Sequence, residues 1–248
     1  YKSLEKETGQ PTGFHETGSL RLAYKKEDLQ WFNYVKGILD IAGSPCSIIS
    51  TDEIHKYHPF IKLDGILGAF YTPEDGYTDP TSTTNAMAKG ARDNGAKIYR
   101  KNRVTDIEHL PNGEWKVITE KGNITCEHVV NAAGSFCPEV SQMVGIKNVP
   151  SINMVHQYLV TESHPEIEKL DKELPVVRDP DSSSYLRQEG KGLLIGPYEK
   201  DVAAWALDGM DWKFDMELLE PDLDRIEKHL EKGMDRIPQF KDVGIKRI

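Results

Sequence analysis

The strongest constraint on this chain is the order of elements that ends in Val129-Val130-Asn131-Ala132-Ala133-Gly134. A helix from about Pro80 to Asn94 is followed by short alternating segments and then by this apolar run, which closes in small residues. That order reads as helix, β-meander and buried strand, a portion of an α/β sheet. A strand ending in Ala-Ala-Gly lets an extended ligand such as a dinucleotide lie against the backbone, because no bulky side chain blocks it. Tight packing between elements accounts for the same residues, so the run alone decides neither reading. The Gly-x-Gly-x-x-Gly fingerprint of a complete dinucleotide-binding domain is absent from the 248 residues.

The flanking sequence is punctuated clearly. Tyr1 to Thr8 reads as the end of a helix stopped by Gly9 and Pro11, and residues 18–23 alternate as a strand. From Lys25 to Ala42, Leu29, Phe32, Val35, Leu39 and Ala42 fall on one helical stripe closed by Gly43. Ser50 and Glu53 have capping-box spacing for a short helix that Pro59 stops, and Asp79 with Pro80 opens the next helix. Residues 46–49, 66–71, 97–99 and 103–108 read as strands. A Pro111-Asn112-Gly113-Glu114 turn then leads to strands at 115–119 and 124–126. A helix is expected from about Pro138 to Val144. After Pro150 the pattern turns mostly β: a long strand over 151–161, shorter ones at 185–188 and 193–195. Residues 221–236 form an amphipathic helix with Leu223, Ile226, Leu230 and Met234 inward.

Composition narrows the function classes. A formal net charge of -9 argues against nucleic acid as partner, since phosphate binding needs clustered Lys and Arg. No apolar run is long enough to cross a bilayer. Cys46, Cys126 and Cys137 form no paired framework and read as reduced thiols, which suits a cytoplasmic or mitochondrial matrix setting. The chain opens without an initiator Met or a signal peptide, so an internal fragment is expected. His55 and His58 stand at i, i+3, but no acidic or Cys partner completes a site, and no metal is expected.

Several segments, taken in order, resemble one family. They are Gly13-Phe14-His15 with residues 18–23, then Pro73 to Pro80, Val130 to Gly134, Val155-His156-Gln157-Tyr158, Tyr185 to Glu189, Leu193 to Glu199 and Asp222 to Ile226. Together they resemble the dimethylglycine and sarcosine dehydrogenases over nearly the whole chain. The resemblance implies an α/β (α+β) fold of D-amino-acid oxidase type, in which a Rossmann-like FAD-binding domain is interleaved with a β-rich substrate domain. On that scheme residues 1–71 and 149–248 belong to the substrate domain and 72–148 to the flavin domain. The nucleotide fingerprint would lie upstream of Tyr1, and a further flavin loop and a tetrahydrofolate-binding portion downstream of Ile248.

The resemblance also implies residue roles. Val104 matches a strand whose backbone meets the adenine of FAD. Ala133 and Gly134 match residues packed beside FAD, and Phe136 stands where relatives often carry Trp, keeping the ring but losing the indole donor. His156 is the leading catalytic candidate, on a strand face with Met154 and Tyr158, where it would orient the amine or tune its protonation. Tyr185 is the second catalytic candidate, although Ser184 stands where relatives often have another Tyr. Arg187 shares its face and would pair with a substrate carboxylate, unless it serves the fold instead. The implied activity is FAD-dependent oxidative demethylation of an N-methylated glycine, with an electron-transfer flavoprotein or oxygen as acceptor. The same architecture also occurs in a regulatory subunit of pyruvate dehydrogenase phosphatase, which supplies a non-catalytic alternative beside that of an inactive fragment.

Overall fold

A computed structural model describes residues 1–248. In chain order the elements begin with α1 (Lys2–Thr8), β1 (Ser19–Ala23), α2 (Lys26–Ala42), β2 (Ser47–Ile49), α3 (Thr51–Tyr57), β3 (Gly68–Thr72) and α4 (Pro80–Asp93). They continue with β4 (Val104–His109), β5 (Trp115–Thr119), β6 (Gly122–Cys126), a 3-10 turn at Gly134–Phe136, α5 (Cys137–Gln142) and β7 (Asn153–Val155). After these come β8 (Leu159–Thr161), α6 (Pro165–Glu168), β9 (Val176–Asp179), β10 (Ser184–Glu189), β11 (Gly192–Pro197), β12 (Ala203–Trp205), α7 (Leu223–Arg236) and β13 (Ile245–Arg247). The chain divides into two compact units. One comprises Tyr1–Asn94, His156–Asp201 and Glu220–Ile248, the other Gly95–Val155 and Val202–Leu219. Residues 72–94 pack with the first unit, although the sequence groups them with the flavin portion.

Local chemistry explains the helices of the first unit. The Ser50 hydroxyl accepts from the Glu53 N–H, and the Glu53 carboxylate accepts from the Ser50 N–H at 2.8 Å, so α3 opens with both donors satisfied. Asp79 caps α4 by accepting from the Ser82 N–H at 2.6 Å, with Pro80 in the first turn. On α2, Phe32 is buried against Phe70 and Ala23, with Leu29, Val35 and Leu39 packed beside them. Ala42, expected on that stripe, is exposed.

The first unit is built on an eight-stranded sheet in the order β13-β8-β11-β10-β9-β1-β3-β2. Only β1 and β9 pair in parallel; every other pairing is antiparallel. Helix α7 covers β10 and β11 with Ile226 and Leu230 against Leu186 and Ile195. A Cβ on Gly233 would stand 2.1 Å from the Ile195 side chain, so the missing side chain is what lets α7 seat there. Leu223, expected inward, lies at the exposed start of α7. The C-terminal end of α7 is tied down by a buried cluster. Asp179, 1% exposed at its side chain, accepts from the Tyr24 hydroxyl at 2.6 Å and pairs with Arg236 Nε at 3.5 Å. Arg236 also donates to the carbonyls of Lys62 and Asp64 and lies over the Tyr24 ring. Burial, reinforced by the bond to Asp179, raises the Tyr24 phenol far above its ordinary value.

The second unit holds the three-stranded meander β4-β5-β6, the β7–β12 ribbon and α5. Ile107, Ser141 and Met210 are its buried residues. Three expectations fail here, two for want of a pairing neighbour and one because its two ends pair with different strands. Residues 97–99 form no strand, and Val129–Gly134 forms no buried strand: Val130 is 86% exposed. A strand is completed by a neighbour that bonds its backbone, and neither segment has one. The long strand expected over 151–161 is broken, with β7 pairing to β12 and β8 to β11. The break takes in His156 and Tyr158, so Met154, His156 and Tyr158 do not line one strand face.

His58 carries a pH consequence. It is 1% exposed, its Nδ1 has no partner, and burial pushes its imidazole down to about 3. Its neighbour His55 bonds the Ile61 carbonyl. Below about pH 6.5 an unfolded chain takes up a proton here that the folded chain refuses. Stability from this group is intact above that pH and falls toward pH 3 by about 1.4 kcal/mol per unit. Thermal melts should therefore show a shallower loss between pH 6.5 and 4 for His58→Leu than for the parent. Equal slopes would refute the assignment.

Candidate functional site

Strand register in the first unit builds a groove of about 650 Å³. Along β10, Ser184, Leu186 and Gln188 are buried while Tyr185, Arg187 and Glu189 alternate toward the open face. Tyr185 stands opposite Gly196, and Arg187 opposite Leu194 on β11. Tyr185, Arg187 and Leu194 thus line the groove with Tyr158, Tyr77 and Glu173. A Cβ on Gly196 would come within 2.1 Å of the Tyr185 ring, so that glycine is what lets the phenol lie across β11.

The groove wall is a continuous polar network. His15 Nδ1 meets Glu173 at 2.7 Å, the His15 ring stacks on Tyr77 at 4.7 Å, and the Tyr77 hydroxyl donates to Glu173 at 3.1 Å. Arg187 lies over the Tyr77 ring at 4.3 Å. One of its nitrogens is engaged by Glu189 at 2.6 Å and the Gln188 carbonyl at 2.9 Å. Burial, followed by the charge of Glu173, pushes the Tyr77 phenol up to about 12. Burial, followed by Tyr198, raises Tyr185 as well. Both phenols are therefore neutral donors at physiological pH. His15, Tyr77 and Glu173 escaped the sequence reading as site residues, because nothing in their spacing joins Glu173 to the other two.

His156 does not line the groove. Its ring meets Tyr198 edge-on at 5.4 Å, and Tyr198 in turn packs against Tyr185 at 5.8 Å. His156 is 39% exposed at its side chain, and its Nδ1 is 3.2 Å from an oxygen of Glu199, which is only 2% exposed. The other Glu199 oxygen stands 3.2 Å from Arg225 Nε on α7. Glu199 closes a segment already noted in the sequence, but its pairing with His156 and Arg225 has no sequence signature.

The candidate cofactor residues lie in the second unit. Val104 begins β4, which pairs with β5 and has no other partner strand, so its outer backbone edge is open. Ala133 and Gly134 start the 3-10 turn, where Gly134 has φ 57° and open space around the position of a Cβ. The Asn131 side chain holds this turn by donating to the Cys137 carbonyl and Ser141 hydroxyl, both at 2.9 Å, while accepting from the Ala133 N–H. Phe136 stacks on Trp212 at 4.9 Å, and the Arg103 guanidinium lies over the Trp212 ring at 5.5 Å. An open strand edge, an unobstructed glycine and an exposed apolar run at Val129–Val130 suit a flat dinucleotide.

Residues 1–247 match the family described as FAD dependent oxidoreductase. The chain is 42% identical over 250 residues to mitochondrial dimethylglycine dehydrogenase of Rattus norvegicus, covering 99% of this chain and 29% of that protein. Against mitochondrial sarcosine dehydrogenase of Mus musculus it is 32% identical, covering 99% of this chain and 26% of that protein. The chain thus spans less than a third of the length of these relatives. The crystal structure of L-proline dehydrogenase from P. horikoshii superposes with a TM-score of 0.78 at 26% identity, over 99% of this chain and 62% of that one. Glycine oxidase from Bacillus cereus, at 21% identity and TM-score 0.68, shares the fold. No helix is long and apolar enough to cross a membrane. The α/β architecture and the match across the whole chain agree, and the chain belongs to the FAD dependent oxidoreductase family.

Proposed function

We propose that this chain is part of an FAD-dependent dehydrogenase that oxidises an N-methylated glycine, dimethylglycine first and sarcosine second. The observation that carries this reading is the 42% identity to a dimethylglycine dehydrogenase across 99% of the chain. FAD supplies a two-electron acceptor for the hydride leaving the N-methyl carbon. As that C–H bond breaks, the nitrogen lone pair forms an iminium, and water hydrolyses it to formaldehyde and the demethylated amine. The amine must therefore be neutral when it reacts. His156 lies outside the groove beside Tyr198, so its assigned role, holding or accepting the ammonium proton at Nε2, requires the amine end of the substrate to reach past Tyr185 and Tyr198; its Nδ1 faces Glu199. The Tyr185 hydroxyl donates a hydrogen bond to the substrate, and Arg187 attracts its carboxylate in competition with Glu189. Val104, Ala133, Gly134 and Phe136 are assigned to the adenine and pyrophosphate side of FAD. The mitochondrial relatives favour a matrix location; an electron-transfer flavoprotein is proposed as electron acceptor.

The test is anaerobic mixing of the flavin-loaded full-length protein with dimethylglycine or sarcosine, following flavin absorbance. Dimethylglycine should bleach the flavin faster than sarcosine, and His156→Ala should slow bleaching by about 100-fold. A second reading has its own support. The chain is 30% identical, over its whole length, to the mitochondrial regulatory subunit of pyruvate dehydrogenase phosphatase of Mus musculus. A bound flavin that neither amine reduces would sink the dehydrogenase reading in favour of this one.

A further inference from the structure

We propose that Glu199, anchored by Arg225, is a positioning residue that fixes the tautomer and ring orientation of His156. The inference rests on the dehydrogenase reading for its functional consequence. Its structural content stands on three groups in one unit. Glu199 is almost wholly removed from solvent, with one oxygen 3.2 Å from His156 Nδ1 and the other 3.2 Å from Arg225 Nε. A carboxylate in such a place is held by compensating charge: Arg225 faces one oxygen as an ion pair rather than a hydrogen bond, and the other is within hydrogen-bond distance of His156 Nδ1. Arg225 can only donate, and an ionised carboxylate can only accept. Neutral His156 must therefore carry its proton on Nδ1 and donate it to Glu199, which leaves Nε2 as a bare acceptor.

The surroundings hold this arrangement in place. The Tyr198 ring packs edge-on against the imidazole and limits its rotation. Tyr185 supports Tyr198 from β10. Asp222, 4.0 Å from Arg225 Nε, adds a second carboxylate beside the guanidinium at the start of α7. The titratable and charged groups seen around the His156–Glu199 pair include Tyr198 after β11, Arg225 and Asp222 at α7, and Tyr185 on β10 behind Tyr198. A bare Nε2 is the atom that can take a proton from a substrate ammonium, so the tautomer decides whether His156 can serve the amine at all.

Glu199→Gln separates this role from simple support. The positive guanidinium of Arg225, 3.2 Å away, draws the amide oxygen of the variant side chain and repels its NH₂, which then faces His156 Nδ1. That imidazole nitrogen becomes the acceptor, and the ring proton moves to Nε2. The measurement is ¹⁵N NMR of histidine-labelled, flavin-loaded full-length protein at a pH where the imidazole is neutral, with His156→Gln to assign the signals. The parent should show the Nδ1–H tautomer and Glu199→Gln the Nε2–H tautomer. Flavin reduction by dimethylglycine should slow by about 100-fold in Glu199→Gln, with the affinity for the amine little changed. An Nε2–H tautomer in the parent would overturn the proposal without recourse to any variant. So would an unchanged tautomer in a folded Glu199→Gln protein. If the tautomer inverts while His156→Ala reduces flavin at the parent rate, the positioning holds and the dehydrogenase role of His156 fails.

Discussion

Asp179→Ala should destabilise the protein by about 3–5 kcal/mol, read as a lower urea midpoint with an unchanged slope. Arg236 is nearly buried and has Asp179 as its one carboxylate partner. Removing Asp179 leaves the guanidinium desolvated beside two backbone carbonyls, and it strips the Tyr24 hydroxyl of its acceptor. The cost of stranding that buried charge far exceeds that of breaking a surface pair such as Lys36 with Asp40 on α2, whose removal should change little. Asp179→Ala combined with Arg236→Met should recover part of the deficit, because the stranded charge goes with its partner. A single variant that melts with the parent would show that water reaches this cluster and that it does not anchor α7.

Gly196→Ala should displace Tyr185 and cost about 1–3 kcal/mol, although the substitution is a single methyl group in an otherwise well-formed strand. The added Cβ would fall 2.1 Å from the ring, inside any van der Waals contact. A backbone held by β10 on one side and β8 on the other cannot retreat, so the phenol must swing out. If the phenol binds substrate, the apparent affinity for the amine should weaken about tenfold, as for a lost hydrogen bond of ~1.4 kcal/mol. The double variant Gly196→Ala with Tyr185→Ala separates the two effects: stability should return toward that of Tyr185→Ala alone, while binding should stay impaired. Unaltered binding in Gly196→Ala would remove Tyr185 from the site.

What could be read from the sequence was what four or five consecutive residues determine. The Ser50–Glu53 box, the Asp79–Pro80 start and the Tyr185/Arg187 alternation all depend on local spacing, and each has its expected geometry. Val129–Gly134 looked like a strand because its residues suit one, but pairing is a property of two segments, and the second is not written in the first. The break at His156 was invisible for the same reason, since β7 and β8 answer to different neighbours. The candidate site divides along this line. Tyr185 and Arg187 could be named from one strand. Gly196 beside Tyr185 follows from the register of the β10–β11 hairpin, whereas Glu173 beside His15 and Glu199 beside His156 join segments far apart in the chain, which no periodicity encodes.

The parallel ladder between β1 and β9 has a kinetic side. Ser19 pairs with Val176, and everything between them, including most of the second unit, must be made before that ladder can form. At about 5–20 residues per second, an emerging chain holds β1 without its β9 partner for on the order of ten seconds. Through this interval the core around Leu20 and Leu22 has only its early members, such as Ile49, Ile54 and Ala69, and lacks Val177, Leu186 and Ile195, with α7 arriving later still. Closing so long a loop costs entropy before any contact offsets it. The protein should therefore fold slowly and largely after synthesis, and its yield in a cell should depend on chaperones more than the stability of the finished sheet would suggest.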